Sequence, residues 1–124
     1  MRALVIDDSR AVRMILRNYL EGMKFDVVEA EDGQVALERF VEAEGRFDLA
    51  LVDWNMPTMG GLEFVKAVRA LDYGQQVHLM MVTTETEIGK VMAALGAGAN
   101  EYLMKPFTRE MVEEKVQLLS GLSV

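Results

Sequence analysis

Five short apolar runs punctuate this chain, each giving way to polar or acidic residues: ALVI (3–6), FDVVEA (25–30), FDLALV (47–52), VHLMMV (77–82) and NEYLM (100–104). Five stretches with apolar residues three and four apart follow them in turn: SRAVRMILRNYLEGM (9–23), QVALERFVEAEG (34–45), LEFVKAVRALD (62–72), TETEIGKVMAAL (84–95) and REMVEEKVQLL (109–119). Short apolar runs rich in β-branched residues read as buried strands, and the three-four spacing reads as amphipathic helix. A βα unit repeated five times predicts an α/β fold, with a five-stranded parallel sheet covered by helices on both faces. Asp32 is a candidate N-cap for the second helix. Gly22 and the GAGA at 96–99 look like helix ends.

With 124 residues and no linker, low-complexity tract or repeat beyond the βα unit, residues 1–124 read as one domain. The last helix closes it, leaving Ser120 to Val124 as a tail, so no separate output domain is expected. Twenty acidic against thirteen basic residues give a net charge of -7, which argues against binding to nucleic acid or to an anionic membrane surface. The absence of cysteine excludes disulfides and thiolate chemistry, and the single His78, read as structural, excludes a multi-histidine metal site. The N-terminus MRALVIDD is too short in apolar residues for a signal peptide, and no segment is long enough to span a bilayer. The expected location is therefore cytoplasmic, without membrane insertion. Ten methionines read as core filler.

In an open parallel sheet, ligands sit beyond the carboxyl ends of the strands, where the strand order reverses. Asp7 and Asp8 follow strand 1, Asp53 follows strand 3, Thr83 and Thr84 follow strand 4, and Lys105 follows strand 5. A strand order of 2-1-3-4-5 makes strands 1 and 3 neighbours at that reversal. Three carboxylates placed together repel, so protons or a cation must join them. Mg²⁺ suits a few carboxylates while keeping several waters. A lysine, a hydroxyl and a metal around one free carboxylate oxygen form a clamp for a transferring phosphoryl group, with the carboxylate as nucleophile.

Taken singly, these residues have plainer readings. An acidic pair before a helix often caps it, Thr84-Glu85-Thr86-Glu87 fits a capping box, and Lys105-Pro106 can be an ordinary extended dipeptide. Tyr102 is unremarkable strand packing, and Trp54 is expected to be partly exposed after the strand end. Arg10, Arg13 and Arg17 form a stripe on the first helix that reads as a solvated face and, starting beside the acidic residues, could dock an acidic partner. The convergence of four strand exits on the required residue types favours the chemical reading.

Those motifs, DD at 7–8, DWNMP at 53–57, GG at 60–61, TTE at 83–85 and YLMKPF at 102–107, resemble the receiver domain of response regulators. The resemblance covers the whole chain and points to the chemotaxis CheY type. The order 2-1-3-4-5 is that of flavodoxin-like proteins, CheY among them, so it is not independent of the resemblance. The resemblance implies Asp53 as phosphoacceptor. It implies Mg²⁺ held by Asp8, Asp53 and the backbone carbonyl of Asn55, with Asp7 acting through water. Thr83 and Lys105 would hold the phosphoryl oxygens, Thr83 and Tyr102 would form the switch, and Asn55 and Thr84 would flank the hydrolytic water. The Lys105-Pro106 peptide would be cis. One departure is Ser9, where enteric chemotaxis regulators commonly carry an aromatic.

The implied function is a monomeric single-domain regulator that takes a phosphoryl group from a histidine kinase. It would signal through its helix 4–strand 5–helix 5 face, to a flagellar motor switch or another chemotaxis protein. It would not be an enzyme beyond modifying itself. Three other readings compete with this one. A phosphorelay intermediate stays within the same family. A Mg²⁺-dependent phosphatase with an aspartate nucleophile normally needs DxD after strand 1, where DDSR stands. A flavodoxin-like FMN carrier needs a Ser/Thr/Gly phosphate loop at that place.

Overall fold

The computed structural model describes residues 1–84 and 89–119. Among them, strands and helices alternate as β1 (Arg2–Ile6), α1 (Arg10–Gly22), β2 (Asp26–Ala30), α2 (Gly33–Glu42), β3 (Leu49–Asp53), α3 (Gly61–Arg69), β4 (His78–Thr84), α4 (Val91–Ala97), β5 (Glu101–Lys105) and α5 (Arg109–Leu118). All neighbouring strands pair in parallel, in the order β2-β1-β3-β4-β5. The α/β architecture and strand order are those expected from the sequence.

The period-two alternation of the strands divides the core into two layers. Ala3 and Val5, Leu49 and Leu51, Met80 and Val82, and Leu103 face Leu16, Leu20, Val112 and Val116 of α1 and α5. Leu4 and Ile6, Ala50 and Val52, and Leu79 and Met81 face Phe40, Phe64, Val65 and Val68 of α2 and α3, with Ala94 of α4. Every residue of β3 is buried, which explains why its sequence shows no polar face.

Three helices begin at side-chain caps. Ser9 accepts from the Val12 amide at 3.3 Å, Asp32 from Val35 at 2.8 Å and Thr108 from Met111 at 3.2 Å. Asp32 is thus the cap expected. At α1 the hydroxyl of Ser9 caps the helix, which leaves the acidic pair before it free for other work. Gly98 ends α4 with φ +121°, a conformation that favours glycine.

Three expectations need correction. The helix anticipated from residue 84 starts as α-helix only at Val91, because Thr83 and Thr84 belong to β4 and pair with Met104 and Lys105. The remainder of the suggested Thr84-Glu85-Thr86-Glu87 box and the tail from Ser120 to Val124 lie outside the described residues. His78, which the run VHLMMV places within a strand, is the first residue of β4. Arg13 and Arg17 do not form a free solvated stripe with Arg10: they pair with Glu29 of β2 at 3.0 and 2.7 Å. No helix among the described residues is long and apolar enough to cross a membrane.

Candidate functional site

β1 and β3 are adjacent, and their carboxyl ends bring Asp7, Asp8 and Asp53 together. One carboxylate oxygen from each lies within 4.8 Å of the other two. Asp7 and Asp53 are buried, at 1% and 5% exposure, whereas Asp8 faces solvent. Lys105, delivered by the end of β5, donates to Asp53 Oδ1 at 3.0 Å and to Asp7 Oδ2 at 3.1 Å. The peptide joining it to Pro106 is cis, as the resemblance implied.

The remaining oxygen of Asp7 accepts the Ser9 amide at 2.8 Å, and its backbone carbonyl accepts from Arg13 Nη1 at 2.6 Å. Arg13 then continues to Glu29 and, through that carboxylate, to Arg17. Ser9 and Arg13 are therefore supporting residues, which the sequence placed at the head of the first helix and on a solvated face. The Ser9 cap had a legible signal, a hydroxyl just before a helical pattern. Arg13 had none, since its partners come from β1 and β2.

One ammonium among three carboxylates leaves the cluster anionic, and burial sharpens the imbalance. Burial pushes the Asp53 carboxyl up, the hydrogen bond from Lys105 pulls it back, and the charge of Asp7 pushes it up again, with a smaller push from Asp8. The result is a pKa of about 6 against an ordinary 3.8. For Lys105, burial works downward, but its hydrogen bonds to Asp53 and Asp7 and their charges outweigh it, so its pKa is raised. The lysine stays charged at neutral pH, and Asp53 is mostly ionised there.

Behind Asp53 the chain is held by its backbone. Trp54 donates to the carbonyl of Val82 at 3.3 Å, and Gly61 donates back to the carbonyl of Trp54 at 3.0 Å. A Cβ on Gly61 would stand 2.5 Å from the carbonyl oxygen of Asp53 and 2.9 Å from Met81 Cε, so the sequence keeps a glycine there. Gly33, opening α2, donates to the carbonyl of Met59 at 3.2 Å and ties the loop to the start of that earlier helix. Trp54 is half-buried against the α2–α4 side of the core, and Asn55 is exposed.

The expected residues do not all converge. The acidic triad and Lys105 meet directly. Thr83 is fully buried and its hydroxyl donates to the carbonyl of Thr84 at 3.3 Å. Tyr102 packs against the α2–α4 side of the core, with the Lys115 ammonium 4.4 Å from its ring centre. Lys115 and its partner Glu101 carried no signal in the sequence, because the pair forms across the sheet edge.

Comparison with known proteins gives one consistent result. The family model described as the response regulator receiver domain matches residues 3–117. The chain is 41% identical over 122 residues to the chemotaxis protein CheY1 of Helicobacter pylori, covering 98% of each. It is 42% identical to the chemotaxis protein CheY homolog of Campylobacter jejuni, covering 98% of this chain and 93% of that one. The solved structure of Vibrio cholerae chemotaxis protein CheY4 superposes with a TM-score of 0.87 at 37% identity, covering 94% of this chain and 96% of that chain.

Proposed function

Since the chain belongs to the response regulator receiver family, whose members are signalling proteins, we propose that it accepts a phosphoryl group on Asp53 from a histidine kinase and signals in chemotaxis. The observation that carries this reading is the buried Asp53 carboxylate, bonded to Lys105 and clustered with Asp7 and Asp8. In the transfer, an Asp53 carboxylate oxygen forms a bond to phosphorus as the bond from phosphorus to the donor imidazole nitrogen breaks. The imidazole leaves with that electron pair and takes up a proton.

The three carboxylates are a hard oxygen donor set that suits Mg²⁺. Asp8, Asp53 and the Asn55 carbonyl would hold the ion, with Asp7 reaching it through water. Bound there, Mg²⁺ neutralises phosphoryl charge. Lys105 already touches the carboxylate oxygen and stands ready to follow negative charge onto the phosphoryl group. Thr83 would turn its hydroxyl from the Thr84 carbonyl to a phosphoryl oxygen, and Tyr102 would turn its ring behind it. Asn55 and Thr84 would flank the water that later hydrolyses the acyl phosphate.

The output is a changed surface on α4, β5 and α5, read by a flagellar motor switch or another chemotaxis protein. Residues 1–124 would act in the cytoplasm as one monomeric receiver, with no catalysis beyond their own modification. The test is incubation with Mg²⁺ and a small phosphodonor, followed by mass spectrometry. The expected product is a base-labile phosphoryl adduct on Asp53, absent from Asp53→Asn. An unmodified wild-type chain with every donor tried, including a phosphorylated histidine kinase, would overturn the reading.

A further inference from the structure

Among the described residues β5 is an edge strand of the sheet, so part of its backbone has no neighbouring strand to pair with. At Tyr102 that position is served by the adjacent side chain: the amide donates to Glu101 Oε1 at 2.9 Å. The same oxygen accepts from Lys115 Nζ at 3.2 Å. That ammonium lies 4.4 Å from the centre of the Tyr102 ring. Three contacts run in sequence, amide to carboxylate, carboxylate to ammonium and ammonium to aromatic face, and they begin and end on the same residue, Tyr102.

The placement is not that of an ordinary surface pair. α5 packs through Val112 and Val116 on one face of the sheet, while Tyr102 packs against the core on the other. Lys115 therefore reaches around the sheet edge to cover an aromatic ring of the opposite layer. Its side chain is 27% exposed and that of Glu101 22%, so both are largely withdrawn from water. Partial desolvation strengthens an ammonium's attraction to a ring face, and a second anchor on Glu101 reduces the side-chain freedom lost in making the contact.

We propose that Lys115 is a positioning residue for Tyr102: its ammonium, fixed by Glu101, holds the phenol ring in the orientation seen here and so sets how readily that ring can turn. Cation at position 115 and ring orientation are then coupled, and any event that turns the ring must first break the contact. The effect on phosphorylation-linked turning rests on the reading of Asp53 and Tyr102 given above. The clamp itself does not.

The experiment uses the full chain labelled with 3-fluorotyrosine, whose three tyrosine signals are assigned with Tyr102→Phe. Lys115→Met, which keeps the stem and removes the charge, should move the Tyr102 signal, while Lys115→Arg should leave it near its wild-type position. A Tyr102 signal unmoved in Lys115→Met overturns the proposal, as does an equal displacement in both variants, which would indicate packing and not charge. Glu101→Gln should move the signal in the same direction as Lys115→Met by loosening the anchor. Titration with Mg²⁺ and beryllofluoride then reads the coupling: Lys115→Met should reach half-response at about two- to fivefold lower concentration than wild type. Equal half-response overturns the coupling. If wild type gives no beryllofluoride response at all, the phosphoacceptor reading fails, and the variant shifts still decide the clamp.

Discussion

Lys105 donates to Asp53 at 3.0 Å although 52 residues separate them, and a second contact to Asp7 ties the same ammonium to the end of β1. The pair spans the carboxyl ends of two strands that are not themselves neighbours, since β4 lies between β3 and β5. Lys105 is thus a crosspiece over the end of the sheet, and several outcomes depend on it.

Replacing it with Met removes the cation facing two buried carboxylates. Lys105→Met should raise the Asp53 pKa above its present value of about 6, because the hydrogen bond and the charge with which Lys105 pulls it down are both gone. Folding stability at pH 7 should fall by about 1–3 kcal/mol, the cost of leaving a buried acceptor without its partner. Urea denaturation measures the second effect. Phosphodonor titration followed by mass spectrometry should show at least a hundredfold slower modification, given the contribution of preorganised donors of this kind, ~10²–10³-fold.

The raised pKa of Asp53 makes stability depend on pH in a definite direction. The folded chain holds this proton up to about pH 6, whereas the unfolded carboxyl loses it near its ordinary 3.8. The stabilising effect of the proton is complete below pH 3.8 and is lost as pH rises through 6. Asp53→Asn cannot ionise, so its advantage over wild type should grow between pH 4 and 7 by about 2 kcal/mol in metal-free buffer. Paired urea curves at each pH check this; a constant difference would contradict it.

Mg²⁺ should oppose that destabilisation. A ligand that binds only the folded chain raises stability by mass action, by about 2.7 kcal/mol at a hundredfold excess over its dissociation constant. Thermal unfolding of wild type should shift upward with Mg²⁺ and return with EDTA, while Asp8→Asn should shift much less. Trp54, the only tryptophan, stands beside Asp53 and should report binding by its fluorescence.

Gly61 offers a test of the backbone. Its missing Cβ is replaced by the carbonyl oxygen of Asp53, 2.5 Å away from where that atom would be. Gly61→Ala should therefore displace the end of β3, with a stability loss of about 1–3 kcal/mol and slower phosphorylation. Asp32→Ala is the companion control. It removes the α2 cap, costing about 1 kcal/mol, and should leave the phosphorylation rate unchanged.

The elements that were legible in the sequence are those set by local pattern. Apolar runs such as ALVI and FDLALV marked strands because both sheet faces are covered, and Asp32 marked a helix start because capping is a local bond. The four residues that meet at the sheet's end, Asp7, Asp8, Asp53 and Lys105, were also readable, since each follows a strand directly. Contacts across layers were not. Arg13 looked like a solvent residue because Glu29 and the Asp7 carbonyl reach it only once β2 lies beside β1. Lys115 looked like an ordinary helical lysine because Tyr102 is brought beneath it by the closing edge strand. Thr83 was readable as a strand-end hydroxyl, but its bond to the Thr84 carbonyl depends on where β4 stops, and that boundary was placed one residue pair too early.

The register of β5 carries a final consequence. Thr84 stands opposite Lys105 and Val82 opposite Leu103, so every second residue of the strand is committed to one layer. A slip of one residue would put Met104 where the ammonium belongs and turn Tyr102 into the α1–α5 layer. No fragment or loosely paired form can hold a lysine against two aspartates drawn from other strands. On the proposed function, competence to accept phosphate would therefore be a certificate of native strand pairing. On heating, it should vanish together with the far-ultraviolet signal of the sheet, in one transition.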